Sequence, residues 1–267
     1  VMGMDECLMS DVEVAYDAKQ YVDYICNSED SIGGDGWEYN LVLQHIKDQP
    51  TMSPEIFAYW IFKEYVNFYG VGADYTTMSV LNVTEFDYTF MPAINNLGQK
   101  LRHKAKTLNS NIATAASNSA SWQGYTWNRD LIHFAQNLQT QIPAATDADI
   151  YNAAQLIINL GAANTAGDSP GSGTWNSSKA ILCHNTNTNE NGITIYCSGT
   201  SYDTVYDTLK IVPETTWDEA VKAIFENTAN YSDKEPFCKI TSPSQGSSVT
   251  LNTVVTITGS ANDSGDG

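Results

Sequence analysis

The sequence predicts an α/β fold organised around a parallel sheet. Three observations near the N-terminus carry this. Val1-Met2-Gly3-Met4 reads as the end of a buried strand. Leu8, Val12, Ala15, Tyr16 and Ala18 then recur at helical spacing, and Tyr24-Ile25-Cys26 forms a second short apolar strand. Strand, helix and strand at this spacing make a βαβ unit, whose two strands lie parallel.

The remaining elements come in order. Ser31-Ile32-Gly33-Gly34-Asp35-Gly36-Trp37 is a glycine-rich loop after the second strand. Ser53-Pro54-Glu55 starts a helix, with an N-cap serine and proline at the first helical position; it runs through Trp60, Ile61 and Tyr65 to Gly70. Thr76 to Leu81 reads as a strand. A long helix is expected from about Pro92, with Ile94, Leu97, Leu101, Ala105, Leu108 and Ile112 on one stripe. Two more helices begin after Asn128 and after Thr146. Residues 165–178 read as a loop. Lys179–His184 and Gly192–Ser198 flank an Asn/Thr-rich turn and read as a β-hairpin. Thr216-x-x-Glu219 is a capping box opening a last helix. Residues 229–236 read as a linker between a first domain, residues 1–228, and residues 237–267. There the short alternating segments read as the first strands of a truncated β-sandwich.

Composition narrows the function classes. The chain has 267 residues, 42% hydrophobic and only 16% charged, with a formal net charge of −18. That charge excludes a uniform basic patch, and with it nucleic acid or an anionic membrane surface as partner. No apolar run approaches the length that spans a membrane. Low lysine content with many Asn, Thr, Ser and Tyr residues resembles secreted proteins, so a secreted or cell-surface location is expected. The start at Val1 and the Asn262-Asp263-Ser264-Gly265-Asp266-Gly267 end read as cuts, so an N-terminal part of the fold is expected to be missing. Five cysteines are present without a Cys-x-x-Cys pair. Zinc and thioredoxin-type sites therefore have no support.

Cys7 is the candidate nucleophile. It falls between the first strand and the first helix, where a helix N-terminus favours a thiolate. The carboxylates of Asp5 and Glu6 oppose that effect, so the thiol needs a basic partner. A buried structural cysteine is the alternative. Asp5 lies two residues before Cys7 and faces the same side, where a carboxylate selects a cationic substrate group. Asp35 on the glycine-rich loop supplies a second wall, with an ordinary turn residue as the alternative. In open α/β sheets the loops at strand carboxyl ends build the site, so Cys7 and this loop are expected to share a crevice.

No histidine is placed as the base. His45 and His133 fall in helical segments on solvated faces. His103 stands among Arg102, Lys104 and Lys106 on an exposed basic face. His184 and Cys183 alternate across a strand and point apart. Cys26 reads as a small core residue. The expected hairpin places Cys183 opposite Cys197, for a cross-strand disulfide or for two free thiols.

Asp5-x-Cys7-Leu8-Met9, followed by Val12-Glu13-Val14-Ala15-Tyr16 and Tyr21-x-Asp23-Tyr24, resembles the clostripain family of cysteine peptidases. Ser28-Glu29, Gly34-Asp35-Gly36-Trp37, Met52-Ser53-Pro54, Thr77-Met78-Ser79, Gly192-Ile193-Thr194-Ile195-Tyr196 and Thr216-Trp217-Asp218-Glu219 extend the resemblance over residues 1–226 in order. Residues 237–267 separately resemble the start of a bacterial immunoglobulin-like domain. The first resemblance implies a caspase-like α/β fold and an endopeptidase that cuts after Arg or Lys in protein or peptide substrates. It makes Cys7 the nucleophile, Asp5 the reader of the basic side chain, and Asp35 a further wall of that pocket. The family's catalytic histidine lies upstream in a His-Gly motif, which no histidine here matches. Residues 1–267 alone are therefore expected to be inactive.

Some members are autoprocessed between that histidine and the cysteine. Some require calcium, which the resemblance allows here although no ligand motif matches. Two departures stand out: Cys197 replaces an aromatic residue, and Glu6 replaces a small one beside the nucleophile. The alternative function is a non-catalytic cell-surface binding or adhesion protein on the same scaffold.

Overall fold

The computed structural model describes residues 1–69, 77–122, 124–161, 180–184, 189–198, 201–226, 237–242 and 258–262. Strand β1 (Met2–Gly3), helix α1 (Val12–Ala18) and strand β2 (Tyr24–Asn27) form the expected parallel unit, with Met2 opposite Ile25 and Gly3 opposite Cys26. Next come helices α2 (Tyr39–Asp48) and α3 (Pro54–Tyr69) and strand β3 (Met78–Asn82). β3 runs antiparallel to β2, with Cys26 opposite Val80. The all-parallel sheet expected from the sequence is thus corrected to a mixed one. One helix between β1 and β2 makes a parallel crossover. The two helices between β2 and β3 return the chain to the end it left, which reverses the next strand.

Asn82 ends β3 and also caps the next helix, its side chain accepting hydrogen bonds from Thr84 N–H and Glu85 N–H. That helix, α4 (Val83–Glu85), passes through a π-helical turn at Phe86–Phe90 into α5 (Met91–Asn118). The helix expected at Pro92 therefore starts nine residues earlier, at Val83. The wide turn sits just before Pro92, whose missing N–H and ring an α-helix interior does not tolerate. Strand β4 (Asn128–Asp130) and helices α6 (Leu131–Gln141) and α7 (Ala148–Gly161) come next, then strands β5 (Ile181–His184) and β6 (Thr194–Tyr196) and helix α8 (Trp217–Glu226). The expected loop at 165–178 lies outside the described residues.

The expected hairpin does not form. β5 joins the central sheet beside β3, giving the order β1-β2-β3-β5, and β6 pairs with β4. Ile181 and Leu182 are buried against opposite helical layers, so β5 needs cover on both faces, which a two-stranded ribbon cannot give. Cys183 and Cys197 consequently sit in different sheets, and both are free thiols.

Alternation along the strands builds two cores. Cys26, Met78, Val80 and Leu182 face Ala58, Ile61, Phe62 and Tyr65 of α3. Ile25, Leu81 and Ile181 face Val12 and Ala15 of α1, in the larger core with α5, α6, α7 and α8. The capping box expected at Thr216 is replaced by longer-range bonds. Thr216 Oγ1 donates to Asn95 Oδ1 at 3.0 Å, and Glu219 accepts from Arg102 at 2.9 Å.

In the C-terminal part, strands β7 (Phe237–Ser242) and β8 (Thr258–Asn262) pair antiparallel with an irregularity between Ile240 and Ser242. The expected linker at 229–236 lies outside the described residues.

Candidate functional site

Residues Met4 to Ser10 run beside the continuation of β2 and are pinned to it. Met4 N–H donates to Cys26 O at 2.9 Å, Leu8 N–H to Asp30 O at 3.1 Å, and Ser10 N–H to Ser28 O at 2.9 Å. Asn27 Nδ2 donates to Met9 O at 2.9 Å. These bonds hold Cys7 in a tight turn, not at a helix N-terminus. Helix α1 starts at Val12, with Asp11 as its cap accepting from Glu13 N–H, so the expected help from the helix dipole is absent.

Leu8 has φ of 62°, the only non-glycine residue at positive φ among the described residues. A left-handed leucine costs roughly 1–2 kcal/mol and is held there by the bonds on either side.

Cys7 is partly exposed, and Ile32 N–H donates to its Sγ at 3.2 Å. The expected meeting of Cys7 with the 31–37 loop is therefore observed. The thiol opens into a cavity of about 420 Å³ lined also by Glu29, Trp122, Tyr125, Trp127 and Thr194.

Asp5 is held by the same loop. Its Oδ2 accepts from Trp37 N–H at 3.1 Å and from the Tyr39 hydroxyl at 2.8 Å. Its Oδ1 is buried with no hydrogen-bond partner among the described residues. Gly36 adopts φ of 69°, and a Cβ there would fall 2.8 Å from Asp5 Oδ2, so the loop approaches the carboxylate as only glycine allows. Asp35 lies on the outer side of this loop and is exposed. Tyr69 ties the loop down by donating its hydroxyl to Gly36 O at 2.9 Å.

Sequence reasoning gave no chemical role to a buried acidic cluster behind the cavity. Glu29 is 2% exposed and accepts from Gly192 N–H at 2.7 Å. Burial, reinforced by Asp130, holds the Glu29 carboxyl well above the usual carboxylate range. Asp130 caps α6 by accepting from His133 N–H at 2.6 Å, and also accepts from Asn191 N–H at 2.6 Å. Burial pushes its carboxyl up to about 6. Glu190 accepts from Trp122 Nε1 at 3.0 Å.

The described histidine side chains are engaged elsewhere, and none lines the Cys7 cavity. His45 is not on a freely solvated face: it bonds Glu64 at 2.8 Å and stacks on Trp60 at 3.6 Å. His133 Nδ1 accepts from Ala120 N–H at 3.1 Å, and burial lowers its pKa. The exposed basic face expected around His103 is also corrected, since Arg102 is buried against Glu219 and His103 is half-buried. The His184 side chain lies outside the described set.

Cys26 is fully buried, 3.7 Å from Ala58 O, and burial pushes its thiol up to about 12. Burial does the same to Cys197, also to about 12. Both are inert as nucleophiles at neutral pH. Among the described residues no group of three or more His, Cys, Asp or Glu side chains is placed to hold a metal ion. No described helix is long and apolar enough to cross a membrane.

The model of the Clostripain family matches residues 1–226. No curated protein sequence matches the chain. Solved structures do. One is a clostripain from Bacteroides thetaiotaomicron ATCC 29148 in complex with the peptide inhibitor BTN-VLTK-AOMK. It is 17% identical, with a TM-score of 0.50 over 82% of this chain and 86% of that chain. A B. fragilis cysteine protease is 16% identical, with a TM-score of 0.45 over 81% and 88% of the two chains. An inactive zymogen C11 protease from Parabacteroides distasonis is 18% identical, with a TM-score of 0.47; the match covers 82% of this chain and 57% of that one. At such identity the first of these likenesses speaks to the fold.

Proposed function

Because the chain belongs to the clostripain family of cysteine peptidases, we propose that it supplies the nucleophile and the specificity pocket of an endopeptidase that cuts after Arg or Lys. The observation that carries this reading is the Asp5 carboxylate. One oxygen is fixed by Trp37 and Tyr39, while the other is buried and has no hydrogen-bond partner among the described residues. An unsatisfied buried carboxylate oxygen is costly unless a cation completes it, and a guanidinium or ammonium group does so. Asp5 stands two residues from Cys7, a partly exposed thiol that faces a cavity. Asp35, exposed on the same loop, is assigned in this reading to add negative charge near Asp5.

In this reading Cys7 Sγ attacks the carbonyl carbon of the scissile bond. A histidine outside these residues takes the thiol proton and delivers it to the leaving amine. Water then hydrolyses the thioester, releasing the acid and restoring the thiol. Cys7 N–H, with a second backbone N–H outside these residues, holds the oxyanion. Residues 1–267 alone are expected not to turn over substrate, because among the described residues no histidine lines the Cys7 cavity.

The peptide on the Bacteroides thetaiotaomicron relative reads VLTK and ends in lysine, the side-chain class assigned to Asp5. The same reading makes residues 1–228 the peptidase portion, residues 229–236 a linker and residues 237–267 the start of an immunoglobulin-like domain, in a secreted or cell-surface protein. The test compares hydrolysis of an arginine amide and its citrulline isostere by the full-length protein. Arginine-selective hydrolysis that disappears in Cys7→Ala supports the proposal; equal rates on the two amides contradict it.

A further inference from the structure

The cavity above Cys7 does not stand alone. Its Trp127 wall is shared with a second cavity of about 380 Å³, lined also by Tyr196, Asp203, Val205, Tyr206 and Leu209. A third cavity joins the two from below. It shares Leu8 and Asn128 with the first, and Tyr196, Tyr206 and Leu209 with the second. The three cavities therefore adjoin through shared wall residues, with Trp127 between the thiol and the aromatic pocket.

The pocket is built in advance. The rings of Tyr196 and Tyr206 stack with centroids 4.4 Å apart and planes at 21°. Their polar ends are already used: the Tyr206 hydroxyl donates to Glu13 Oε1, and the Tyr196 hydroxyl accepts from Asp203 N–H at 2.7 Å. Both rings are nearly buried, Tyr196 at 8% and Tyr206 at 6% exposed, and they form the fixed floor of the pocket. At the rim, Trp127 is 50% exposed and Val205 is 67% exposed. Trp127 is braced edge-on by Tyr125, with centroids 5.5 Å apart. Fixed aromatic side chains gathered around a concave site mark a binding surface more than a solvated one. Asp203 at the wall disfavours an acidic ligand.

Resting on the proposed roles of Cys7 and Asp5, we infer that this pocket is a second specificity site, taking a large apolar or aromatic side chain of the same peptide. The occupant is the substrate because the pocket adjoins the cavity that holds the nucleophile, with Trp127 lining both. An extended peptide advances about 3.3 Å per residue, so a chain crossing Trp127 delivers a nearby side chain to the pocket.

The experiment uses full-length protein and peptides with arginine fixed before the cut and every other position varied on both sides. At one position Leu, Phe or Tyr is expected to exceed Glu about tenfold in kcat/KM. Val205→Asp or Trp127→Ala is expected to reduce that ratio to threefold or less while arginine stays preferred over citrulline. Absence of any apolar preference, or a preference unmoved by both substitutions, overturns the inference. A second arm measures binding of the same fluorescent peptides to full-length Cys7→Ala, and so stands apart from catalysis. Tighter binding of the apolar peptide, lost with Val205→Asp, supports the pocket; equal binding of the Leu and Glu peptides overturns it. Failure to cut after arginine would instead count against the reading of Asp5, with the binding arm still deciding the pocket. If residues outside the described set or another protein cover the pocket, the Leu and Glu peptides bind alike.

Discussion

The Tyr39 hydroxyl donates to Asp5 Oδ2 at 2.8 Å, so an exposed side chain closes over the carboxylate assigned to the substrate's cation. Tyr39 is 52% exposed, and its contact with Asp5 is the main cause of its raised phenol pKa. A hydrogen bond to a charged group contributes roughly 1.5–3 kcal/mol, part of which an incoming arginine must displace. Tyr39→Phe is therefore expected to lower KM for an arginine amide several-fold, with kcat nearly unchanged. Steady-state kinetics on the full-length protein reads this directly, and a raised KM would make Tyr39 a substrate ligand rather than a cover.

Asp5→Asn keeps an acceptor for Trp37 N–H and removes the charge. Loss of a buried ion pair to substrate is expected to cut kcat/KM for arginine by about a hundredfold, or roughly 2.7 kcal/mol. The citrulline amide is expected to change little. The ratio of the two substrates, measured in wild type and variant, checks it.

Stability is expected to fall as pH rises through the range where the buried acids ionise. Glu29 and Asp130 both have folded pKa values above their unfolded ones, so the native state holds protons that the unfolded chain releases. The loss begins above the ordinary carboxylate range, passes through about 6 for Asp130, and continues upward for Glu29. Glu29→Gln preserves an acceptor for Gly192 N–H and cannot ionise. It is expected to flatten the decline in Tm between roughly pH 5 and 8 and to stabilise the protein at pH 8 by about 1–2 kcal/mol. A variant that loses Tm in step with wild type would show that Glu29 ionises without strain.

Trp217 seals the large core from α8. It is 1% exposed, donates Nε1–H to Tyr196 O at 2.7 Å, and meets Phe134 edge-on at 6.3 Å. Trp217→Ala is expected to cost about 3–5 kcal/mol. Trp217→Phe, losing mainly the hydrogen bond, is expected to cost about 1–2 kcal/mol. Urea unfolding with an unchanged m-value distinguishes these from a change in the unfolded chain.

The parts of the fold legible in sequence are those set by local pattern. β1, α1 and β2 are readable because short apolar strands flank a helical spacing, and the meeting of Cys7 and Asp5 with the 31–37 loop comes from the topology of that unit. The start of α3 is readable from Ser53-Pro54. Illegible are the pairings that join distant residues: β3 with β5, about a hundred positions apart, and β4 with β6. Three- and four-residue strands carry too little alternation to choose a partner, and proximity suggests a hairpin. Asn82 is hidden as a cap because it also ends a strand. The acid cluster is hidden because charge ordinarily argues for exposure; Glu29 is nevertheless buried, with one oxygen accepting from Gly192 N–H and burial raising its pKa.

The central claim is that Cys7 is the nucleophile and that Asp5 selects what reaches it. An arginine-directed, thiol-reactive peptide probe applied to the full-length protein at neutral pH, followed by peptide mapping, tests both at once. The account predicts one adduct, on Cys7, that is lost in Asp5→Asn and absent when the probe carries glutamate. Adducts on Cys26, Cys183 or Cys197, or equal labelling of Cys7 by both probes, would contradict it.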